Sequence, residues 1–247
     1  MNREARVVAR SRVQPEITVA RSKARVPPCA KALEAELVEG EQLYNGRIYR
    51  LLRWAADGGR LHLELGVTRY FRYLAVRAAL QAQPWPVLVP GGQPDLFWSH
   101  YLAIDVLART ADGLLVLTQR SGRVAVAGGA WILSAGETAE AGTCAPEALD
   151  MVGHALRREL GVVRLPRVLG WCLAVDERDG AWSLGALVEL AETWPAIRAA
   201  RCAEAWERAR LEALPPEKLA VALRDRPWAP LARAVGLWAK NLLAARP

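Results

Sequence analysis

Two pairs of arginines and three glutamates are the residues whose types could do chemistry. Arg120 and Arg123 lie at the end of a predicted strand, and Arg157 and Arg158 occupy the last turn of a predicted helix, beside Glu159. Guanidinium groups make charge-assisted, often bidentate hydrogen bonds to phosphate, so either pair could meet a phosphate directly. In the plainer alternative the strand-end arginines are solvated, and the last-turn cations complement the helix dipole. Glu137 and Glu140 precede the helix, and Glu159, if it faces solvent, is a helix-end carboxylate paired locally with an arginine. Gly128-Gly129 could admit a ligand close to the backbone, but it is neither G-x-G-x-x-G nor a P-loop and reads as a turn. His62, His100 and His154 lack zinc-ligand spacing. Cys29, Cys144, Cys172 and Cys202 are scattered without a C-x-x-C and read as small buried hydrophobes in a reducing, cytoplasmic setting. No nucleophile–base arrangement follows from position alone.

The elements that must hold these groups are punctuated by three Asp-Gly turns. Asp57-Gly58-Gly59 separates residues 46–54 from 60–67, where Leu61, Leu63 and Leu65 alternate with His62 and Glu64. Asp112-Gly113 separates 101–109 from 114–119, and Asp179-Gly180 separates 170–176 from 182–190. Asp-Gly supplies the positive φ of tight hairpins, so the pattern predicts a largely antiparallel sheet. Helical spacing covers 69–81 and 146–160, the latter with Leu149, Val152, Leu156 and Leu160 on one stripe and Gly161 as a C-terminal cap. Further helices are expected around 195–211 and 216–224, and at 230–245 through Leu231, Val235, Trp238 and Leu242. Pro84-Trp85-Pro86 and Pro90-Gly91-Gly92 form a linker. Three segments follow: a basic, poorly ordered arm at 1–31, an N-terminal lobe of hairpin and helix at 32–94, and the main domain at 95–247.

The stretch from Tyr101 to Val162 resembles the Nudix superfamily. Its strand–loop–helix order passes through Trp131-Ile132-Leu133-Ser134-Ala135-Gly136-Glu137 and ends in Leu156-Arg157-Arg158-Glu159-Leu160-Gly161-Val162. The Nudix box reads G-x5-E-x7-R-E-U-x-E-E-x-G-U, with U a bulky aliphatic residue. Glu159, Gly161 and Val162 fit its close, Leu156 fits the aliphatic position, and Ser134-Ala135-Gly136 stands where many members have P-G-G. Leu65-Gly66-Val67-Thr68-Arg69-Tyr70, with Tyr73, looks like the N-terminal extension of the animal Nudix branch that cleaves UDP-glucose. The resemblance implies an α/β fold of the α+β type: an α/β/α sandwich with a mixed, largely antiparallel sheet, plus the small N-terminal lobe.

The resemblance also implies a chemistry, and the departures from the box alter it. Nudix helix carboxylates hold Mg²⁺, which neutralises a diphosphate and helps activate water. The matching positions here are His154, Ala155, Arg158 and Glu159, so one carboxylate remains for a metal, flanked by two cations. His154 stands where the family has an arginine that orients a catalytic glutamate. With Ala155 in that glutamate's place, it has nothing to orient and reads as a solvated or half-buried histidine. Glu147 is twelve residues from Glu159, about 18 Å along a helix and too far to share one ion. Glu137 and Glu140 could swing towards Glu159 and rebuild a site.

Length and charge bound the function classes. The chain has 247 residues, 52% hydrophobic and 24% charged, which excludes wholesale disorder. No run of apolar residues is long enough to span a membrane, and the N-terminus lacks the apolar stretch of a signal peptide. Of the net charge of +7, eight basic and two acidic residues lie within 1–31, leaving a nearly neutral body. Such an arm could bind nucleic acid as an accessory role, although it carries no aromatic residue for base stacking. Three readings stand. The first is a degenerate-box protein that binds a nucleoside-diphosphate-type ligand or a partner, with weak or no hydrolysis. The second is a Mg²⁺-dependent Nudix-type diphosphate hydrolase of a nucleotide sugar or similar compound. The third is nucleic-acid binding through the arm.

Overall fold

Alternating leucines and a positive-φ turn build the first hairpin. Leu61, Leu63 and Leu65 are buried while His62 and Glu64 are only partly so, and Gly58 and Gly59 take φ of 54° and 76° at the turn. The computed structural model describes residues 5–20, 25–39, 45–124, 126–142, 146–202 and 207–245.

In chain order the strands are β1 (Arg6–Ser11), β2 (Glu16–Val19), β3 (Arg47–Asp57), β4 (Arg60–Arg69), β5 (Leu88–Val89), β6 (Gln93–Pro94), β7 (Tyr101–Arg109), β8 (Leu115–Arg120), β9 (Trp131–Ile132), β10 (Ala135–Thr138), β11 (Arg167–Asp176), β12 (Ala181–Glu189) and β13 (Arg208–Leu214). The helices are α1 (Pro28–Glu39), α2 (Tyr70–Ala82), α3 (Ala148–Leu160), α4 (Trp194–Ala199), α5 (Leu219–Asp225) and α6 (Pro230–Ala244).

The main sheet runs β1-β11-β12-β7-β8-β13, with β10 added to β7 and β9 to β8. Its pairs are antiparallel except β12 with β7. Apolar residues on alternate positions serve opposite faces. Leu102, Ile104 and Val106 pack with Met151, Val152 and Leu156 of α3, and Leu115, Leu117 and Leu187 pack with Leu223 of α5 and Val235 and Trp238 of α6. The expected α/β/α sandwich is therefore present. A second sheet, β2-β4-β3, joins the first through Tyr49 N–H donating to the Ala139 carbonyl at 2.7 Å.

The hairpin between β7 and β8 opens at once: only Arg109 and Leu115 pair. Beyond that point β7 carries β10 while β8 carries β9 and β13. This divergence leaves a gap in the sheet, and the cleft described below lies there.

Three expectations need correction. Part of the basic arm is structured, because residues 6–11 form β1 and pair with β11 across Arg6↔Val175 to Ser11↔Trp171. Residues 1–4 and 21–24 of that arm lie outside the described residues. The helix expected at 195–211 is only α4, and residues 208–214 are strand β13. Its Arg-Leu-Glu-Ala composition favours a helix locally, but β8 presents an open edge whose backbone groups need partners, and tertiary pairing overrides weak propensity. Cys172 is buried as expected, but Cys29 is exposed and Cys202 half-buried, while Cys144 lies outside the described residues.

The close of α3 sets the direction of its last turn. Gly161 caps the helix at φ 71°, ψ 15°, and its N–H donates to the Arg157 carbonyl. A Cβ there would meet the Arg201 carbonyl oxygen at 2.6 Å. Gly161→Ala is expected to cost about 2–4 kcal/mol, the sum of left-handed backbone strain and forced displacement. Urea unfolding checks it, and a loss below 1 kcal/mol would show that the loop around Arg201 yields freely.

Candidate functional site

A cleft of about 1700 Å³ opens at the divergence of β7 and β8. Its lining includes Glu137 and Glu140, His154, Arg158 and Glu159 of α3, and Arg120 and Arg123. Period four on α3 puts His154 and Arg158 on one side of the helix, facing β10, while Ala155 and Leu156 are buried in the core.

Both partners of α3 lie just across the gap. His154 Nδ1 is 2.8 Å from Glu137 Oε1. Arg158 Nη1 lies 3.3 Å from Glu140 Oε1 and 3.9 Å from Glu137 Oε2. Burial raises the Glu137 carboxyl above its ordinary value, opposed by the His154 hydrogen bond and by the His154 and Arg158 charges. Glu159 is 5% exposed, so it is no solvent-facing carboxylate, and its main-chain carbonyl accepts from Arg208 Nη1 at 3.3 Å.

Arg120 reaches the cleft from the end of β8. Its Nη2 pairs with Glu207 Oε2 at 3.2 Å, and its Nη1 donates to the Gly136 carbonyl at 3.5 Å. Its Nε is buried without a hydrogen-bond partner among the described residues. Arg123 is exposed at the rim. Arg157 is exposed and is not among the residues lining the cleft. The expected pairing of Arg157 with Arg158 at one site is therefore corrected: consecutive helix positions point about 100° apart, so one of the two must face away.

Two features were missed from the sequence. Asp105, in the middle of β7, is buried in the cleft wall, and its Oδ2 accepts a hydrogen bond from Ser183 at 2.7 Å. Burial pushes it up to about 6, against the Ser183 bond and the Arg120 charge. Gly136 is small for its sake, since a Cβ would stand 3.2 Å from Asp105 Oδ1. The second feature is aromatic. Tyr73 and Tyr101 stack with centroids 4.3 Å apart, Tyr70 lies 6.0 Å from Tyr73, and all three line the cleft. The Thr138 hydroxyl donates to Tyr101 Oη at 3.2 Å. An aspartate among apolar strand residues, and tyrosines three apart in a helix, were visible signals, but only the fold says which face they share.

The other two histidines lie elsewhere. His62 pairs with Glu16 at the surface, and His100 is buried beside Arg50, pushed down to about 3 first by burial and then by the Arg50 charge.

Mg²⁺, the ion implied by the resemblance, does not fit this donor set. The Arg158 guanidinium stands against both Glu137 and Glu140, where a divalent ion would have to sit, and His154 takes up Glu137 from the other side. Among the described residues no group of three or more His, Cys, Asp or Glu could hold a metal ion.

No family model matches the chain, and no curated protein matches it. Solved structures of similar fold include the MutT protein from Methanosarcina mazei Go1, at 14% identity and TM-score 0.43 over 59% of this chain and 96% of that one. The Nudix domain of Shewanella oneidensis NrtR, complexed with ADP ribose, aligns at 20% identity and TM-score 0.42 over 59% and 87%. RenU, a Nudix hydrolase from M. smegmatis, aligns at 19% identity and TM-score 0.39 over 66% and 97%. Likenesses at this level assign neither a family nor an activity, so the site's own residues must carry the chemistry. No helix among the described residues is long and apolar enough to cross a membrane.

Proposed function

We propose that this is a Nudix-like protein whose cleft binds a phosphate-containing, nucleoside-diphosphate-type ligand without a resident metal, and hydrolyses it weakly or not at all. One observation carries the reading: Arg158, at a position where the resembled box has a metal-binding carboxylate, lies in the cleft against Glu137 and Glu140. A cation there can meet a phosphate directly, where an acid would need an ion between. Arg120 adds a second positive group at the same opening, and the half-buried rings of Tyr70 and Tyr101 offer aromatic surface for a flat ring.

A second reading, a Mg²⁺-dependent diphosphate hydrolase of a compound such as a nucleotide sugar, draws on Glu137, Glu140 and Glu159 lining one cleft. Nucleic-acid binding through residues 1–31 stays an accessory reading, and deleting that segment would also strip β1 from the sheet edge.

Thermal unfolding with ADP, ADP-ribose and UDP-glucose, each in EDTA and each in Mg²⁺, separates the first two readings. The expected result is stabilisation that EDTA leaves unchanged, with Arg158→Ala weakening affinity about 10- to 100-fold, the worth of one charged hydrogen bond. Stabilisation lost in EDTA, together with Mg²⁺-dependent product release, would establish the hydrolase reading instead.

A further inference from the structure

His154 is the one histidine of the three that lines the cleft. Its ring is held between two elements, carried by α3 and bonded through Nδ1 to Glu137 on β10. The β10 backbone is itself fixed by the register Gly136↔Asp105, Glu137↔Ile104 and Thr138↔Ala103. An ionised carboxylate only accepts hydrogen bonds, so the neutral imidazole bonded to Glu137 carries its proton on Nδ1 and a lone pair on Nε2. Among the described residues no protein group is hydrogen-bonded to Nε2. The His154 side chain keeps 23% of its surface exposed, against 11% for Glu137. The buried member therefore holds the ring, and the accessible member can reach a ligand.

We propose that His154 is a general base, with Glu137 as its positioning residue, for metal-free hydrolysis of a phosphate anhydride or ester with a good leaving group bound in this cleft. The inference rests on the phosphate-binding reading above. In the step, Nε2 takes a proton from water as the water oxygen forms its bond to phosphorus. The bond from phosphorus to the leaving oxygen breaks, and that oxygen keeps the electron pair. The imidazolium then gives its proton to the leaving oxygen or to bulk water. Glu137 holds the tautomer and stabilises the imidazolium, a role a carboxylate can fill without itself being protonated. Arg158, four residues along the same helix side, and Arg120 stand ready for the charge that develops on the phosphoryl oxygens. Charged groups near the ring include Glu137 and Glu140 on the β10 side and Arg158 on α3, with Asp150 and Arg157 at neighbouring turns of that helix and Glu159 lining the same cleft.

The test uses the full chain, thymidine 5′-monophosphate p-nitrophenyl ester and excess EDTA, with p-nitrophenolate release followed across pH. Wild type is expected to turn over in EDTA. His154→Gln should lower kcat about 10²- to 10³-fold with little change in KM. Glu137→Ala should lower kcat with little change in KM, and Glu137→Gln, whose amide oxygen can still accept from Nδ1, should recover part of the loss. His154→Asn and thermal unfolding of each variant separate lost chemistry from lost folding. Binding of the ester by calorimetry without EDTA-resistant turnover would overturn the dyad and leave the binding reading standing. Absence of both binding and turnover would overturn both. A His154→Gln rate equal to wild type, or a Glu137→Ala rate equal to wild type, would remove His154 or Glu137 from the mechanism respectively.

Discussion

Asp105→Asn is expected to stabilise the protein by about 2–3 kcal/mol at pH 8 and to leave it unchanged at pH 4. The wild-type carboxyl is 5% exposed and is pushed up to about 6 from an ordinary value of 3.8, chiefly by burial. The folded state therefore binds this proton more tightly than the unfolded chain does. Stability from the neutral acid is fully present below about pH 4 and is lost as pH rises through 6. Two pKa units correspond to about 3 kcal/mol, and the side chain is too buried for solvent to screen much of it. Asparagine has the shape of the neutral acid and keeps an oxygen to accept from Ser183. Urea unfolding at both pH values checks this, and an equal effect at both would show that something other than the buried charge is responsible. A carboxylate retained at such a cost in a cleft wall is a candidate ligand contact. The same substitution should therefore weaken binding of any ligand that donates a hydrogen bond at that point.

The parts of the fold that local pattern dictates were legible. Leu61, Leu63 and Leu65 alternate with polar residues because β4 has one buried face, and the two Asp-Gly turns at 57–58 and 179–180 close true hairpins. Gly161 caps α3 where the apolar stripe ends. What local pattern does not determine was missed. Residues 208–211 read as the end of a helix because the unpaired edge of β8 leaves no mark in their own sequence. Residues 6–11 read as a solvated arm, although Val7 and Ala9 lie on the pairing strand β1 beside Arg6, Arg10 and Ser11. The site divides in the same way. Glu137, Glu140, Arg158 and Glu159 were singled out by type and position, and the fold brings them to one cleft. Arg157 was separated from them by helix rotation alone. The His154–Glu137 contact spans 17 residues of chain and depends on β10 pairing with β7 where β7 and β8 diverge. No spacing rule encodes that.

Arg158→Glu is expected to create a divalent-metal site in the cleft. In the wild type the guanidinium is the counter-charge for Glu140 at 3.3 Å and Glu137 at 3.9 Å, with side-chain exposures of 31%, 23% and 11% for the three residues. Replacing it with a carboxylate removes that counter-charge and adds a third acid beside two partly buried ones, with Glu159 lining the same cleft. Without metal the variant should lose about 2–3 kcal/mol, below the range for breaking a fully buried pair because solvent reaches all three groups. Oxygen ligands in this number suit Mg²⁺ or Mn²⁺, and an ion supplied at a hundred times its dissociation constant returns about 2.7 kcal/mol to the folded state. Thermal unfolding with and without the ion should thus show a large metal-dependent rise for Arg158→Glu and none for wild type. Arg158→Gln, which removes the cation without adding an acid, should fall between them. If wild type rose as much as Arg158→Glu, the guanidinium would not be what keeps a divalent ion out, and the magnesium-dependent reading of this cleft would become the stronger one.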